Sequence, residues 1–272
     1  MTITTEPLQR WQVDTASDPS EFVRYLERLS EHQIMRQPSR ERLMAAQLQP
    51  GSTVLDLGCG IGSDTLMLAE AVGPSGEVHA VDRARLMIET TACRAAQRGL
   101  KIVCKEADGA ALPYPDKMFD LVWVERVLLH VPSPQDVMTE VRRVLRDGGQ
   151  FIVNEPDFDG VMILDCGDAD LARGVEHRYR AGVNNSRMGR ALEAHALAAG
   201  FSAIRTEPQL LSTSDFEFVS SAGRWPKMLQ LLIADGEISE ERAEAWLQAI
   251  RAEAMAGRLI AWMPIFALFA RR

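Results

Sequence analysis

The sequence predicts an α/β fold, with helices on both faces of an open, mostly parallel sheet of seven strands. Three observations lead to this prediction. Apolar, strand-like runs alternate with helical segments over about residues 53–156, the pattern of parallel βαβ units. A glycine-rich turn follows the first run, and an aspartate closes the second. The 272 residues are enough for one such domain with its own core.

The first 48 or so residues are expected to form a helical cap. Apolar residues recur at helical spacing within the stretch 19–35, namely Phe22, Tyr25, Leu26 and Leu29. A second helix is expected over 39–48, where the turn pair Pro50-Gly51 ends it before the first strand.

The alternating region supplies five strands. They are VLDL, EVHAVD, KIVCKEAD, FDLVWVE and FIVNEP, in chain order. Helices are expected between them over about 64–72, 86–98 and 133–144, and the turn RDGGQ precedes the fifth strand. Because parallel strands joined by helices end at one edge, ligands are expected at that edge.

Residues 157–187 break this rhythm. They are polar, acidic at first, and contain the turn-like Asn184-Asn185-Ser186, so we expect an insertion that forms a lid over the sheet edge, together with the N-terminal helix around residues 22–29. A helix over 188–199 with Gly200 as its C-cap, a strand near 201–207, a helix over 239–256 and a strand over 260–270 complete the predicted single domain, 1–272.

Composition limits the function classes. The formal net charge of −8 disfavours nucleic acid as a partner. Four irregularly spaced cysteines and the acidic residues after position 156 match no disulfide framework, zinc site or calcium loop, so no metal is predicted. The twelve-residue apolar stretch 259–270 is too short for membrane insertion. With no secretory signal in the first residues, a cytoplasmic location is expected; the oligomeric state stays open.

The segment VLDLGCGIGSD carries the strongest functional signal. Asp56 lies at the end of its strand, and Gly58, Gly60 and Gly62 follow at alternate positions. Glycines there allow a ligand to approach the backbone, and the following helix directs free N–H groups toward it. Asp82 ends the next strand, where a carboxylate can reach two ribose hydroxyls. Alternatively, Asp56 and Asp82 only cap turns or helices.

These residues, as DLGCGIG, resemble the DxGxGxG signature of class I S-adenosylmethionine-dependent methyltransferases, including the ubiquinone and menaquinone biosynthesis branch. The resemblance runs from about Val54 to Pro156 and includes AVDRARLMIE, EADGAALPYPDKMFDLVWVERVLLHVP and VLRDGGQFIVNEP in order. It implies a Rossmann-like fold, S-adenosylmethionine as cofactor and methyl transfer to a small, partly apolar organic acceptor, whose O, N or C atom stays open.

The resemblance also implies roles for individual residues. Arg83 and Met87 would flank the adenine, and Asp56 and the backbone near Glu125 would face the amino group of the cofactor. Independently of the resemblance, which begins only at about Val54, Tyr25 is the expected contact from the helical cap. The full set of expected cofactor-binding residues is Tyr25, Asp56, Gly58, Gly60, Gly62, Asp82, Arg83, Met87, Asp108, Gly109 and Glu125.

His130 is the candidate catalytic residue, because it follows the fourth strand at the ligand-binding edge. With an ordinary pKa near 6.5 it would take a proton from the acceptor or orient it; a structural role is the alternative. Two other functions stay open. One is a cofactor-binding protein with a non-methylating activity such as cyclisation. The other is a nicotinamide-dependent oxidoreductase, although Ser63 replaces the third glycine that its motif requires.

Overall fold

The computed structural model describes residues 11, 13–163 and 167–272. Part of the predicted cap, residues 1–10 and 12, and residues 164–166 of the predicted lid lie outside this description. The strands of the described part are β1 (Thr53–Leu57), β2 (Glu77–Asp82), β3 (Ile102–Glu106), β4 (Phe119–Glu125), β5 (Leu145–Pro156), β6 (Met162–Ile163), β7 (Ser202–Thr213) and β8 (Ala261–Arg271).

Ten α-helices accompany these strands in the same residues. They are α1 (Ser20–Glu31), α2 (Gln33–Ala46), α3 (Ser63–Val72), α4 (Arg85–Gln97), α5 (Pro134–Val144), α6 (Ala169–Ala181), α7 (Met188–Ala198), α8 (Phe216–Ala222), α9 (Trp225–Ala234) and α10 (Glu240–Met255). Within the described residues, no helix is both long and apolar enough to cross a bilayer.

The strands form one open sheet in the order β3-β2-β1-β4-β5-β8-β6, and β7 also pairs with β8. Strands β1 to β5 are parallel, whereas β8 runs antiparallel to β5, β6 and β7. The predicted fold class is therefore confirmed, and the two-residue β6 is added to the seven expected strands. The carboxyl ends of the five parallel strands share one edge, where such sheets place their ligands.

Strand β4 shows why the central strands are apolar along their whole length. Val122 and Val124 belong to a cluster that includes most of the buried residues of α5, whereas Leu121 and Trp123 belong to a cluster that includes several buried residues of α3. Both faces of the strand are covered by helices, so neither can be polar. This packing holds the edge of the sheet in a fixed position.

A separate group of helices packs beside the sheet edge. Buried residues of α6, α8, α9 and α10 form one apolar cluster, with Trp225 and Trp246 at a ring-centroid distance of 5.3 Å. Within the predicted lid, the structure contains the regular helix α6. Helices α8 and α9 were not predicted, and they extend the cover over the sheet edge well beyond residue 187.

Candidate active site

The loop that joins β1 to α3 places its backbone unusually close to a neighbouring segment. Gly58, Gly60 and Gly62 all have left-handed backbones, with φ of 75°, 53° and 81°. A Cβ on Gly58 would lie 2.2 Å from Cγ2 of Val127. A side chain at Gly58 would therefore meet both backbone strain and a steric clash, so the loop requires glycine at this position.

Asp82 joins this loop to the end of β2. Its carboxylate accepts hydrogen bonds from the backbone N–H of Gly60 (3.0 Å) and of Ala84 (2.9 Å). The residue is only 8% exposed, and burial raises the pKa of its carboxyl group. Because an ionised carboxylate can accept about four hydrogen bonds, capacity remains for two ligand hydroxyls. Asp82 also lines the cavity described below.

Three acidic side chains gather on the cavity wall: Asp56 near the end of β1, Asp64 in the first turn of α3 and Glu125 at the end of β4. Burial and the nearby charge of Asp64 raise the pKa of Asp56 to about 8, although the Thr65 hydroxyl donates to Asp56 at 2.5 Å. Burial and the charge of Glu125 raise the pKa of Asp64 to about 6. All three carboxyl groups line the cavity. The arrangement favours a cationic group beside them.

Glu125 is itself held by two buried polar residues that sequence reasoning missed. Nη2 of Arg42 donates to its carboxylate at 2.5 Å, and Asn154 donates to the other oxygen at 2.9 Å. Arg42 is 3% exposed, and its Nε and Nη1 have no hydrogen-bond partner among the described residues. Because α2 carries Arg42 and β4 carries Glu125, only the fold brings the pair together.

The loop after β4 is fixed by a buried carboxyl group. Glu155 accepts hydrogen bonds from the backbone N–H groups of Val127 (2.8 Å), Leu128 (2.6 Å) and Leu129 (3.3 Å). Burial raises the pKa of Glu155 to about 8 despite these three bonds. This residue, also missed from the sequence, therefore positions the loop that ends at His130.

His130 lies on the cavity wall, as expected, but its protonation differs from the prediction. Its ring stacks on Trp11 with centroids 5.0 Å apart, and its Nδ1 has no hydrogen-bond partner in the described part of the chain. Burial, followed by the charges of Arg83 and Arg126, lowers the pKa of His130 to about 3. The expected ordinary pKa near 6.5 is therefore wrong, and the ring is neutral at physiological pH.

Most of the residues predicted to bind cofactor lie on one cavity. Tyr25, Asp56, Gly58, Gly60, Asp82, Arg83, Asp108, Gly109 and Glu125 all line it. Gly62 is the N-cap of α3, directly behind this wall. Met87 is different: it is completely buried in an apolar cluster with Val13, Phe22 and Ile61. The predicted contact of Met87 with adenine is not supported by this placement, because α4 turns its side chain into the core.

The cavity has a volume of about 750 Å³ and continues from the strand ends to the helices that cover them. Its wall away from the glycine loop includes Phe158, Tyr179, Phe218, Trp225 and Met263. This volume is within the range of small-molecule sites, about 300 to 1,000 Å³. The cavity therefore has an acidic half at the sheet edge and a more apolar half under the helices.

Two tyrosines from different helices close the apolar half. The hydroxyl groups of Tyr25 in α1 and Tyr179 in α6 both donate to the backbone carbonyl of Ala222, each at 3.2 Å. Burial raises the pKa of both phenols. The predicted lid segments, α1 and 157–187, therefore meet over the cavity at the end of α8.

The observed site fits S-adenosylmethionine. The glycine loop leaves room for a ligand against its backbone, and Asp82 has unused acceptor capacity beside it. The acidic cluster of Asp56, Asp64 and Glu125 suits the ammonium group of the cofactor. Arg83, Asp108 and Gly109, which were predicted to border the adenine, also line the cavity.

Comparison with known proteins gives the same result. A family model described as a methyltransferase domain matches residues 48–197, more than half of the chain. In the solved structure of the YcgJ protein from Bacillus subtilis the fold is similar, with a TM-score of 0.60, 20% identity and coverage of 87% of this chain and 98% of that one.

Two curated relatives extend the comparison. An uncharacterized 37.1 kDa protein in transposon Tn4556 of Streptomyces fradiae is 32% identical over 231 residues, which are 85% of this chain and 66% of the relative. A demethylmenaquinone methyltransferase of Anoxybacillus flavithermus is 34% identical over 125 residues, 46% of this chain and 52% of the relative. The matched parts thus span about half to two thirds of these relatives. The motif, the fold and the family match together show that the chain belongs to the class I S-adenosylmethionine-dependent methyltransferases.

Proposed function

We propose that this chain transfers a methyl group from S-adenosylmethionine to a small, partly apolar organic acceptor held in the 750 Å³ cavity. One observation carries the proposal. The Asp82 carboxylate and the glycine loop open directly into a cavity whose far half is walled by helices. Donor and acceptor would therefore meet inside one enclosed space.

When bound, S-adenosylmethionine supplies an activated methyl group on a sulfonium that departs as a neutral thioether. The residues of the chain then have mainly to position the reactants. Asp82 would bind the ribose hydroxyls, and Asp56 with Glu125 would hold the amino group. The lid residues Tyr25 and Tyr179 would keep water from the reacting atoms.

His130 is proposed to orient the acceptor. A neutral imidazole whose pKa is about 3 is a poor proton acceptor at pH 7, but its ring lies on the cavity wall, where it can contact and align the acceptor. The proton of the methylated acceptor would be lost to solvent once the product leaves the cavity. This replaces the general-base role that the sequence suggested.

The enclosed cavity and the net charge of −8 support a small-molecule acceptor, and both count against nucleic acid. Small-molecule metabolism in the cytoplasm is the setting that we propose. The acceptor atom, O, N or C, is left to experiment.

The test combines binding with turnover. Calorimetry should show binding of S-adenosylhomocysteine but not of NAD, and mass spectrometry should detect a 14 Da gain on members of a panel of phenols, amines and activated carbon acids. Absence of S-adenosylhomocysteine binding would overturn the cofactor site. Binding without methyl transfer to any member would contradict the proposed reaction and favour a non-methylating use of the cofactor.

A further inference from the structure

Two arginines on the cavity wall have left-handed backbones. Arg126 directly follows β4 with φ of 56°, and Arg224 lies between α8 and α9 with φ of 50°. Both line the cavity, and their side chains are about a quarter exposed, 25% and 24%. Such backbones are unfavourable for residues other than glycine and occur preferentially at ligand clamps and active sites. Gln47, Lys117 and Ala203 share this backbone but do not line the cavity, so the left-handed conformation supports a binding site only together with a place on the cavity wall.

The two guanidinium groups are incompletely paired. Nε of Arg126 is buried without a hydrogen-bond partner, and its one ion pair in the described residues is at 3.4 Å from Glu125, which is already held by Arg42. Arg224 contacts the half-exposed Glu21 at 3.3 Å. A guanidinium group has five donors, so most of this capacity remains unused.

Both arginines lie beside the tyrosines of the lid. The charges of Arg126 and Arg224 act on Tyr25 and on Tyr179, opposing the effect of burial on the pKa of each phenol. Arg224 also lies 5.8 Å from the ring centroid of Tyr25. The acceptor half of the cavity therefore combines two cations, two hydroxyl groups and apolar walls.

We propose that the acceptor carries a carboxylate, bound by Arg126 and Arg224 under the Tyr25–Tyr179 lid. This inference deepens the proposed function and rests on it. The fork of a guanidinium group matches the two oxygens of a carboxylate. Bonds from the two arginines would hold the anionic end of the acceptor, and the apolar walls would receive the rest of it.

The charged residues at the site favour an acceptor with one negative charge over an acceptor with two. Glu125 contacts Arg126 and Glu21 contacts Arg224, so each arginine already has part of its charge balanced. Glu176 also lines the cavity and is itself engaged with another group. A doubly charged phosphate monoester would be repelled by these carboxylates more strongly than a carboxylate would.

The test uses three carboxylates, benzoate, 2-naphthoate and octanoate, each beside its uncharged carboxamide. Calorimetry with the full chain saturated with S-adenosylhomocysteine should show at least one carboxylate that binds about tenfold or more tightly than its amide. Arg126→Gln and Arg224→Gln should each lower that affinity about tenfold, and Arg224→Gln should leave S-adenosylhomocysteine affinity unchanged. Arg126→Lys should lower it less, and Arg173→Gln, an exposed arginine of α6 that pairs with Asp170, should have no effect.

Several results would overturn the inference. Equal binding of carboxylates and amides would remove the charge preference, and so would no binding of any carboxylate at millimolar concentration. A loss of S-adenosylhomocysteine affinity in Arg126→Gln, with carboxylate affinity retained, would assign Arg126 to the cofactor. Each of these results leaves wild-type S-adenosylhomocysteine binding intact, so it differs from failure of the proposed function, in which wild-type binding is absent.

Discussion

The Asp82 carboxylate lies where the end of β2 meets the glycine loop, and it bonds both to the loop and to the residue that precedes α4. Asp82→Ala should weaken S-adenosylhomocysteine binding, because each charge-assisted hydrogen bond to a ribose hydroxyl contributes about 1.5 to 3 kcal/mol. Calorimetric titration measures the change.

Glu106→Gln is the matched control for Asp82→Ala. Glu106 pairs in register with Asp82 at the end of the neighbouring strand β3, but it is exposed and does not line the cavity. Its substitution should leave binding unchanged. Equal affinity in the Asp82→Ala protein, with its circular dichroism spectrum intact, would remove Asp82 from the site.

At His130 the expectation concerns pH. Because burial and two arginines lower the pKa of His130 to about 3, its protonation should produce no inflection in the methyl-transfer rate between pH 5 and pH 8. His130→Gln, which keeps a hydrogen-bond acceptor, should lose less than the hundredfold or more that removal of a general base typically costs. Single-turnover rates at saturating cofactor would show this.

An inflection near pH 6.5 that is present in the wild type and absent from His130→Gln would contradict the orienting role.

The sequence could place His130 after β4 but could not give its charge state. Arg83 follows β2 and Arg126 follows β4, and only their approach in the fold determines the pKa. Met87 shows the same limit, because motif position does not reveal that its side chain enters the core.

Among the turns between elements, two glycines with nearly equal φ allow the energetic cost of backbone strain to be measured separately from that of a steric clash. Gly58 has φ of 75°, and a Cβ added there would lie 2.2 Å from Val127, whereas Gly148 has φ of 74° and a Cβ there would meet no atom within 4 Å. Gly148→Ala should cost only the left-handed conformation, about 1 to 2 kcal/mol. Gly58→Ala should cost about 1 to 3 kcal/mol more from overpacking, and should also weaken S-adenosylhomocysteine binding.

Urea unfolding of both variants, followed by S-adenosylhomocysteine titration, would test this pair. If the two variants lose equal stability, the close approach of the glycine loop to Val127 has no energetic consequence. If Gly148→Ala also loses cofactor affinity, the loop at Gly58 has no special role in binding.

The elements of the βαβ half could be predicted closely, since α3, α4 and α5 each begin and end within one residue of the expected bounds. The helices that cover the sheet edge were harder to predict. Helix α2 begins six residues earlier than expected. The prediction started this helix directly after Pro38, whereas the structure holds Pro38 in the interior of the helix. Helices α8 and α9 were missed because the segment 223–224, with its left-handed Arg224, divides them into two short apolar stretches. The antiparallel pairing of β8 could not be predicted, because its partners β5 and β7 are distant from it in the sequence.

For the whole molecule, buried acids make stability depend on pH. The pKa of Asp56 and of Glu155 is raised to about 8, so the folded chain binds more protons than the unfolded chain between about pH 4 and pH 8. Stability from these groups is complete below the unfolded values and is lost as pH rises through 8. His130 acts oppositely, because its lowered pKa costs stability only as pH falls below about 6.5.

Between pH 6.5 and pH 8, the pH dependence of stability therefore reports the buried acids and not His130. The free energy of unfolding of the ligand-free chain should decrease there by on the order of 1 to 3 kcal/mol. Glu155→Gln, which retains an acceptor for the backbone of Val127 and Leu128, should show a shallower decrease. Urea titrations at several pH values would measure both slopes, and a flat wild-type profile would show that these carboxyl groups are not protonated in the native state.

The carbonyl of Ala222 ties α1 and α6 to one point at the end of α8. Because both tyrosine hydroxyl groups donate to that single oxygen, a displacement of α8 would break both hydrogen bonds in the same event. Entry into the cavity and exit from it would then depend on one shared opening event rather than on separate movements of α1 and α6. Acceptor entry and product departure should accordingly slow or quicken together when α8 is perturbed, and turnover would then depend on the position of this helix.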